Sequence, residues 1–370
     1  MGPIGVVLHL FKHVVAGALA VVVVVGGLAW IVSPDVRYVT RAAVAEGGIL
    51  LRARPIAAVV ADSATDPRTR AKLELVLAAR AFAADSLHLA AKRTYTTYSR
   101  VAHDTLVMVL TASRSDRLEA HTWSFPVVGR VPYKGFFTLA QAQAEARKLE
   151  GKGLDTYLRP SDAFSTLGWF NDPLLSTIVG EDSVDLAATV IHEILHNTIW
   201  VPGHVPFNES LADFVGYRGA QAFFRARDDI VNAARAAARW ADEIRLAGFY
   251  DTLTARLDSL YASGAAGPAL RDGRTRIFGA ARDALAGPVA RALTTMDGRW
   301  LARQPLNNAV VIAEQLYRTH LDVFERLLEE QHGALVPTIA AVRSAVEGGG
   351  KGPGPTDPWA ALEAVEAAPR

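Results

Sequence analysis

His192-Glu193-Ile194-Leu195-His196 is the stretch of sequence that says most about this chain. On a helix, the two imidazoles of this pentad lie one turn apart and point the same way, so both can bind one zinc ion. The glutamate between them can then serve as a base. The alternative is a helix whose two histidines are merely hydrogen-bonded in the core. A second acidic cluster downstream favours the metal site.

The residues around the pentad predict the helix that carries it. Asp182 or Ser183 can act as the N-cap, the helix is expected over residues 184–200, and Pro202 and Gly203 are expected to end it. One face of this helix is apolar. A polar stripe on another face consists of Asp185, Thr189, His192 and His196. Such a stripe in an apolar segment indicates a functional role.

A catalytic zinc ion needs a third protein ligand, and the sequence offers His204 and Glu209. In the metzincin pattern the third histidine follows the second by six residues, whereas His204 follows His196 by eight, so that spacing does not match. Glu209 opens a second predicted helical segment, in which Glu209 and Asp213 share a face one turn apart.

This second segment, residues 208–216, resembles the glutamate helix of thermolysin-type zinc peptidases, the gluzincins. In that pattern Asn-Glu is followed by an acidic residue four positions after the Glu and by a glycine three positions further on, as in Asn208-Glu209, Asp213 and Gly216. The resemblance implies that Glu209 is the third zinc ligand and that Asp213 orients His192. It also implies that Gly216 lets the two helices approach closely.

The chain departs from thermolysin in the connection between the two helices. Only twelve residues separate His196 from Glu209, so a short turn at residues 202–206 would have to reverse the chain. With Glu209 as the ligand, His204 is expected at the rim of the cleft.

A wider resemblance covers most of the chain after Pro34. Segments similar to the bacterial family of predicted aminopeptidases are residues 125–129, 131–137, 164–174, 207–210 and 305–309. The resemblance implies a zincin-like peptidase fold, a zinc cofactor and a peptide substrate. Many members of that family begin with an acylated cysteine, and this chain contains no cysteine.

The amino-terminal residues 14–32 are nineteen residues without a charge. At about 1.5 Å of rise per residue they would span roughly 28 Å, close to the thickness of a bilayer core. A cleavable signal peptide is the alternative, but the run exceeds the usual apolar region of about 7 to 15 residues. We therefore expect residues 1–33 to form an uncleaved, single-pass membrane anchor.

The orientation of this anchor follows from two opposing observations. Lys12 precedes the span, whereas Arg37, Arg41, Arg52 and Arg54 follow it, which favours a cytoplasmic body. The family resemblance favours export, and a large domain can cross the membrane despite local charge. We expect the catalytic domain to lie in the periplasm.

Composition predicts a globular protein with a sizeable core, because 50% of its 370 residues are hydrophobic and 21% are charged. The net charge is +1 and the charges are interspersed, so no nucleic-acid partner is expected. After the anchor we expect a zinc peptidase domain over residues 34–347, mixed α/β to about residue 200 and helical beyond. Residues 348–370 are expected to be a Gly/Pro-rich linker and a tail.

Local patterns predict the α+β fold class, with a small sheet in the amino-terminal part and a mostly helical carboxy-terminal half. Helices are expected after Asp66 and after Thr138. Short strands are expected at residues 106–110, 129–131 and 156–158. Breaks between the later helices are expected near residues 248, 264–268, 298–305 and 333.

Several residues could contact a substrate in the cleft between these two parts. Residues 165–170 could pair with a peptide as an edge strand, or could form a tight loop at Gly168. Candidates to bind substrate or to stabilise the oxyanion are Tyr133, Tyr157 and His204, with Lys134, Asn307, Asn308 and Tyr317 as further possibilities.

The combined pattern predicts zinc-dependent peptide hydrolysis, with Glu193 as the general base. An aminopeptidase needs an acidic group for the substrate amine, for which Asp172, Glu181 and Asp185 are candidates. The first alternative is a membrane-tethered endopeptidase with the same chemistry. The second is a non-catalytic, zinc-stabilised binding protein, against which Glu193 argues because a structural site needs no base.

Overall fold

The structure is a computed structural model of the chain. It describes residues 13, 24–25, 27–28, 30–101, 107–125, 129–136, 138–161, 173–347 and 357–366. Small sheets lie in the first half and helices dominate the second half, which confirms the predicted α+β class.

The strands form three small sheets. They are β1 (Arg54–Pro55), β2 (Thr97–Ser99), β3 (Val107–Arg114), β4 (Trp123–Phe125), β5 (Gly129–Val131), β6 (Tyr133–Phe136), β7 (Leu154–Ser161) and β8 (Leu174–Leu175). The sheet orders are β1-β2-β8, β6-β3-β7 and β4-β5. The first sheet is mixed, because β2 pairs antiparallel with β1 and parallel with β8. The other two sheets are antiparallel.

The helices fill the rest of the described chain. They are α1 (Pro34–Arg52), α2 (Ile56–Ala61), α3 (Pro67–Asp85), α4 (Leu139–Glu150), α5 (Ser176–Val179), α6 (Ser183–Leu195), α7 (Val205–Arg225), α8 (Ile230–Ala262), α9 (Gly267–Ala284), α10 (Ala290–Ala292), α11 (Gly298–Arg303), α12 (Asn308–Gln315), α13 (Leu321–Glu330), α14 (Leu335–Glu347) and α15 (Pro358–Glu366). A π-helical turn, Leu285–Val289, joins α9 to α10.

Cap hydrogen bonds confirm three predicted helix starts. The side chain of Asp66 accepts a bond from the third residue beyond it, and Thr138 does the same at α4. Asp182 is the N-cap of α6 and accepts from the first backbone amides of that helix.

The predicted end of the pentad helix is wrong. The sequence predicts a helix to residue 200, but α6 ends at Leu195 and His196 lies in the capping position. Asn197 donates a 2.7 Å bond to the Thr94 hydroxyl, and Thr198 accepts a 2.8 Å bond from the Ala90 amide. These bonds to the loop before β2 hold the chain in a turn.

Two of the predicted breaks are also wrong. The first is the break near Gly248, which lies inside α8. Gly248 is exposed, so it costs about 1 kcal/mol of helix propensity, which the buried neighbours Leu246 and Tyr250 outweigh. The second is the break at residues 298–305, most of which α11 occupies. The breaks at Gly264 and Gly333 are confirmed, and both glycines have positive φ.

The β6-β3-β7 sheet has two different faces. On one face Leu110, Leu158 and Phe136 pack against α4. On the other face Tyr133 and Tyr157 both lie opposite Thr111, so their side chains share one side of the sheet. Helix α12 packs against β3 and β7, where Tyr157 contacts its apolar residues.

The largest core surrounds α6 and α7. Its largest fully buried side chains include Trp240, Phe207, Phe214, Phe223 and Phe324. Helix α15, which lies within residues 348–370, joins this core: the Trp359 ring is 4.9 Å from the Phe207 ring and Leu362 is buried.

No helix in the described part of the chain is long and apolar enough to cross a membrane. Most of the predicted span lies outside the described residues, as do the candidate edge strand 165–170 and Asp172. The anchor, the edge strand and the amine contact of Asp172 therefore stay predictions.

Candidate metal centre

Helices α6 and α7 lie side by side, and a glycine permits their close approach. A Cβ atom on Gly216 would lie 2.9 Å from the Ala188 carbonyl oxygen and 3.4 Å from the His192 Cβ. Any side chain at residue 216 would therefore push α7 away from the pentad helix. The close approach that the sequence predicts for Gly216 is confirmed.

The short connection between the two helices is held by Asn208. Its side-chain oxygen accepts a 2.9 Å bond from the Val201 amide, and its side-chain nitrogen donates a 2.8 Å bond to the Val201 carbonyl oxygen. Asn208 is buried, and Gly203 adopts a φ of +83° within the turn. This pair of bonds closes the turn and places the next residue, Glu209, opposite the pentad.

The three predicted ligands converge. His192 Nε2 lies 3.1 Å from His196 Nε2 and 3.3 Å from Glu209 Oε2. The third distance, from His196 Nε2 to Glu209 Oε2, is 3.8 Å. Zinc bonds of about 2.0–2.1 Å in a tetrahedron separate neighbouring ligand atoms by roughly 3.3 Å. The group can therefore hold a metal ion with small adjustments.

Asp213 orients the first of these ligands. His192 Nδ1 lies 2.8 Å from Asp213 Oδ1, so the opposite nitrogen, Nε2, faces His196 and Glu209. This contact matches the arrangement that the gluzincin resemblance implies.

The electrostatics of the site favour a cation between the ligands. Burial lowers the pKa of His192, but hydrogen bonds to Asp213 and Glu209 outweigh it and hold that pKa well above its usual value. Burial raises the pKa of Glu209, but hydrogen bonds to His192 and His196 keep it far below the usual range. The same negative charge and donor set suit a metal ion.

His196 is held differently from His192. Its Nδ1 atom is buried and has no hydrogen-bond partner among the residues that the structure describes. The His196 ring instead packs edge-on against the Trp200 ring at 5.4 Å, and Trp200 remains 50% exposed. An exposed tryptophan therefore borders the site.

Glu193, the candidate base, is half-buried beside the ligands. Within the described part of the chain its carboxylate has neither a hydrogen bond nor an ion pair. It is therefore available to accept a proton.

The three candidate substrate contacts lie in different places. His204 occupies the N-cap position of α7, where its side chain makes no capping bond. Tyr133 lies near Glu209: its pKa is raised by burial and by the charge of that carboxylate. Tyr157 lies near Glu314 instead: burial and the charge of Glu314 raise its pKa, and the charges of Arg159 and Arg318 lower it.

The four further candidates for substrate contact also lie in different places. Asn307 and Asn308 are structural: the side chain of Asn307 donates to a backbone carbonyl group of β7, and that of Asn308 donates to one of β3. Lys134 lies over the Tyr38 ring, 4.6 Å from its centre. Tyr317 is buried near Glu209, since burial and the charge of that carboxylate raise the pKa of Tyr317.

Arg159 is a neighbour of the site that no sequence motif singles out. Its guanidinium carbon lies 5.9 Å from the centre of the Tyr317 ring. The alternation of Tyr157 and Arg159 along β7 places both on one face, but only the strand pairing shows that this face also carries Tyr133.

Asp185 and Glu181, the two candidates for binding a substrate amine that the structure describes, already contact other side chains. Asp185 accepts a 3.3 Å bond from the Tyr217 hydroxyl and lies 3.6 Å from Arg239 Nε. Glu181 accepts a 3.2 Å bond from the Thr189 hydroxyl.

Comparison with known proteins identifies one family. The family model described as Putative aminopeptidase matches residues 37–349, which is most of the chain. The chain belongs to this family. Neither the curated proteins nor the solved structures gave a match.

Proposed function

We propose that this member of the putative aminopeptidase family is a zinc-dependent peptidase with a zincin-like fold. The observation that carries the proposal is the convergence of His192 Nε2, His196 Nε2 and Glu209 Oε2 within 3.1 to 3.8 Å. Two imidazoles and one carboxylate are a ligand set of catalytic zinc sites, which keep a fourth position open. Bound zinc would polarise a water molecule and the scissile carbonyl group.

The residues of the chain supply the rest of the reaction. Glu193 takes the proton of the attacking water and passes it to the leaving amine. Asp213 accepts a hydrogen bond from His192 Nδ1–H, which leaves the Nε2 lone pair of that ring for the metal. Tyr133 and Tyr317, whose hydroxyl groups sense the charge of Glu209, would donate hydrogen bonds to the oxyanion.

Metal analysis tests the ligand set. The full-length protein should purify with about one zinc ion per chain. His192→Ala, His196→Ala and Glu209→Ala should lower the metal content sharply, whereas the matched control His204→Ala should not. Loss of zinc in His204→Ala together with retention in Glu209→Ala would show that the third ligand is misassigned.

The family supports aminopeptidase activity. An endopeptidase is the second candidate, and one observation favours it: Asp185, a candidate for the substrate amine, is already bound to Tyr217 and lies beside Arg239. Hydrolysis of free-amine peptides but not of their amino-acetylated counterparts would support the aminopeptidase. The reverse preference would support the endopeptidase, and hydrolysis of neither set would favour a non-catalytic binding protein.

The proposal extends to location. Residues 14–32 would anchor the chain in a membrane, with the catalytic domain in the periplasm and peptides of the cell envelope as substrates. The uncharged run of nineteen residues supports the anchor, and the family resemblance supports export.

A further inference from the structure

Arg159 differs from the other arginines around the site. Arg318 pairs with Glu243 and Glu314, Arg274 pairs with Asp155, and Arg239 pairs with Asp185. Arg159 is half-buried, and no carboxylate among the described residues forms an ion pair with it. A partly buried cation without an anion is costly unless a ligand supplies the charge.

Strand pairing and an aromatic contact both place Arg159 near the candidate metal centre. In the β6-β3-β7 sheet, Arg159 lies opposite Val109, on the face that carries Tyr133. Its guanidinium group also lies over the ring of Tyr317.

Tyr317 is tied to the ligand helix. It belongs to the turn before α13, and the Thr319 amide in that turn donates a 3.1 Å bond to the Ser210 hydroxyl. Ser210 directly follows the ligand Glu209. The turn that carries Tyr317, whose ring Arg159 contacts, is therefore bonded to the residue next to Glu209.

The charges of Arg159 and Glu209 act on the same two hydroxyl groups. Burial and Glu209 raise the pKa of Tyr133 and of Tyr317, whereas Arg159 lowers both. The hydroxyl groups of both tyrosines therefore sense Glu209 and Arg159 together.

We propose that Arg159 binds a carboxylate of the substrate and so makes the enzyme prefer anionic peptides. A guanidinium group suits this task because its planar fork can donate two parallel hydrogen bonds to one carboxylate. The inference rests on the proposed peptidase function. The carboxylate can come from the carboxy terminus of a short peptide or from an acidic side chain.

Paired substrates distinguish these two sources. One pair compares a short peptide with a free carboxy terminus to its carboxy-terminal amide. The other pair compares internal Glu with Gln in a carboxy-amidated peptide. For the full-length enzyme, kcat/KM should be roughly 10- to 100-fold higher for the anionic member of at least one pair.

Variants test whether Arg159 causes that preference. Arg159→Gln should reduce the ratio within the preferred pair to near one, mainly by lowering kcat/KM for the anionic member. Arg159→Lys keeps the charge but loses the fork, so its ratio should be intermediate. Arg256→Gln, an exposed arginine on α8, is the matched control and should keep the wild-type ratio.

A binding measurement separates this inference from the proposed function. In a Glu193→Gln background, calorimetry should show tighter binding of the anionic member, and adding Arg159→Gln or Arg159→Lys should weaken that preference. An unchanged ratio in the folded Arg159 variants, judged by thermal unfolding, would overturn the role of Arg159 even if peptides are cleaved. If wild type cleaves no peptide, the peptidase proposal fails, and calorimetry still decides whether Arg159 binds a carboxylate.

Discussion

The contact at Gly216 allows a quantitative test of how the two ligand helices depend on each other. In Gly216→Ala the new Cβ would lie 2.9 Å from the Ala188 carbonyl oxygen, an atom of the α6 backbone that cannot rotate away. Reaching an ordinary contact of 3.4 Å requires α6 and α7 to separate by about 0.5 Å. Overpacking of this kind costs about 1 to 3 kcal/mol.

The strain should appear mainly in metal affinity. Metal binding holds His192 on α6 and Glu209 on α7 together, whereas the metal-free protein can relax by letting the helices separate. If the strain of about 1 to 3 kcal/mol remains only in the zinc-bound state, zinc affinity should fall by about 5- to 150-fold. Competition with a chromogenic chelator measures this change directly.

Gly219→Ala is a matched control on the same helix. Its Cβ would lie 3.0 Å from Ile191 Cγ2 and 3.1 Å from Leu87 Cδ1, so it would meet side-chain atoms and not the backbone of α6. Both substitutions gain the same helix propensity, so that contribution cancels between them. We expect Gly219→Ala to bind zinc nearly as wild type does. Equal affinities in Gly216→Ala and wild type, or equal losses in both variants, would refute the reasoning.

Four other predictions follow from the site. Glu193→Gln should retain zinc and thermal stability but lose peptide hydrolysis by at least about a hundredfold; cleavage at the wild-type rate would remove Glu193 as the base. Asp213→Asn should lose roughly 10- to 100-fold in zinc affinity or activity, and an unchanged value would show that the carboxylate does not orient His192. In the presence of a metal chelator, the free energy of unfolding should be highest between pH 4.5 and 6.5, the ordinary pKa values of the two side chains. The contribution of Glu209 is lost as pH falls through its lowered pKa, and that of His192 is lost as pH rises through its raised pKa. Denaturant titrations that show stability still rising above pH 7 would contradict this assignment. The full-length chain should stay in the membrane pellet after a carbonate wash and deletion of residues 1–32 should release it, whereas recovery of the full chain in the supernatant would count against the anchor.

The sequence predicts the convergence of His192, His196 and Glu209 because their relation is largely local. The spacing within the pentad fixes the geometry of His192 and His196 on α6, and the second motif contains Glu209, Asp213 and Gly216 in one helix. What joins the two motifs is a turn, and the bonds between Asn208 and Val201 that close it depend on the fold around them.

The rest of the site comes from segments distant in sequence, where spacing carries no information. Tyr133 and Tyr157 are equivalent as candidates in the sequence. Strand pairing puts both on one face of the sheet, but only Tyr133 reaches the charge of Glu209. Arg159 has no motif at all, and its position depends on the pairing of β3 with β7. The early end of α6 also depends on segments distant in sequence, since the side chains that stop this helix bind a loop about a hundred residues earlier.

A group of buried charges connects the metal ligands to the helical half. Behind Asp213, Arg318 on the turn after α12 pairs with Glu243 on α8 at 2.7 Å, and both side chains are largely buried. Burial raises the pKa of Glu243 and Arg318 lowers it, while the negative charge of Asp213 raises it further. Removing Arg318 would leave Glu243 buried without its ion-pair partner, and such a loss typically costs about 3 to 5 kcal/mol. The pair between Arg318 and Glu243 therefore neutralises a buried carboxylate that senses the charge of Asp213, the partner of His192, and its arginine lies more than a hundred positions after His192 in the sequence.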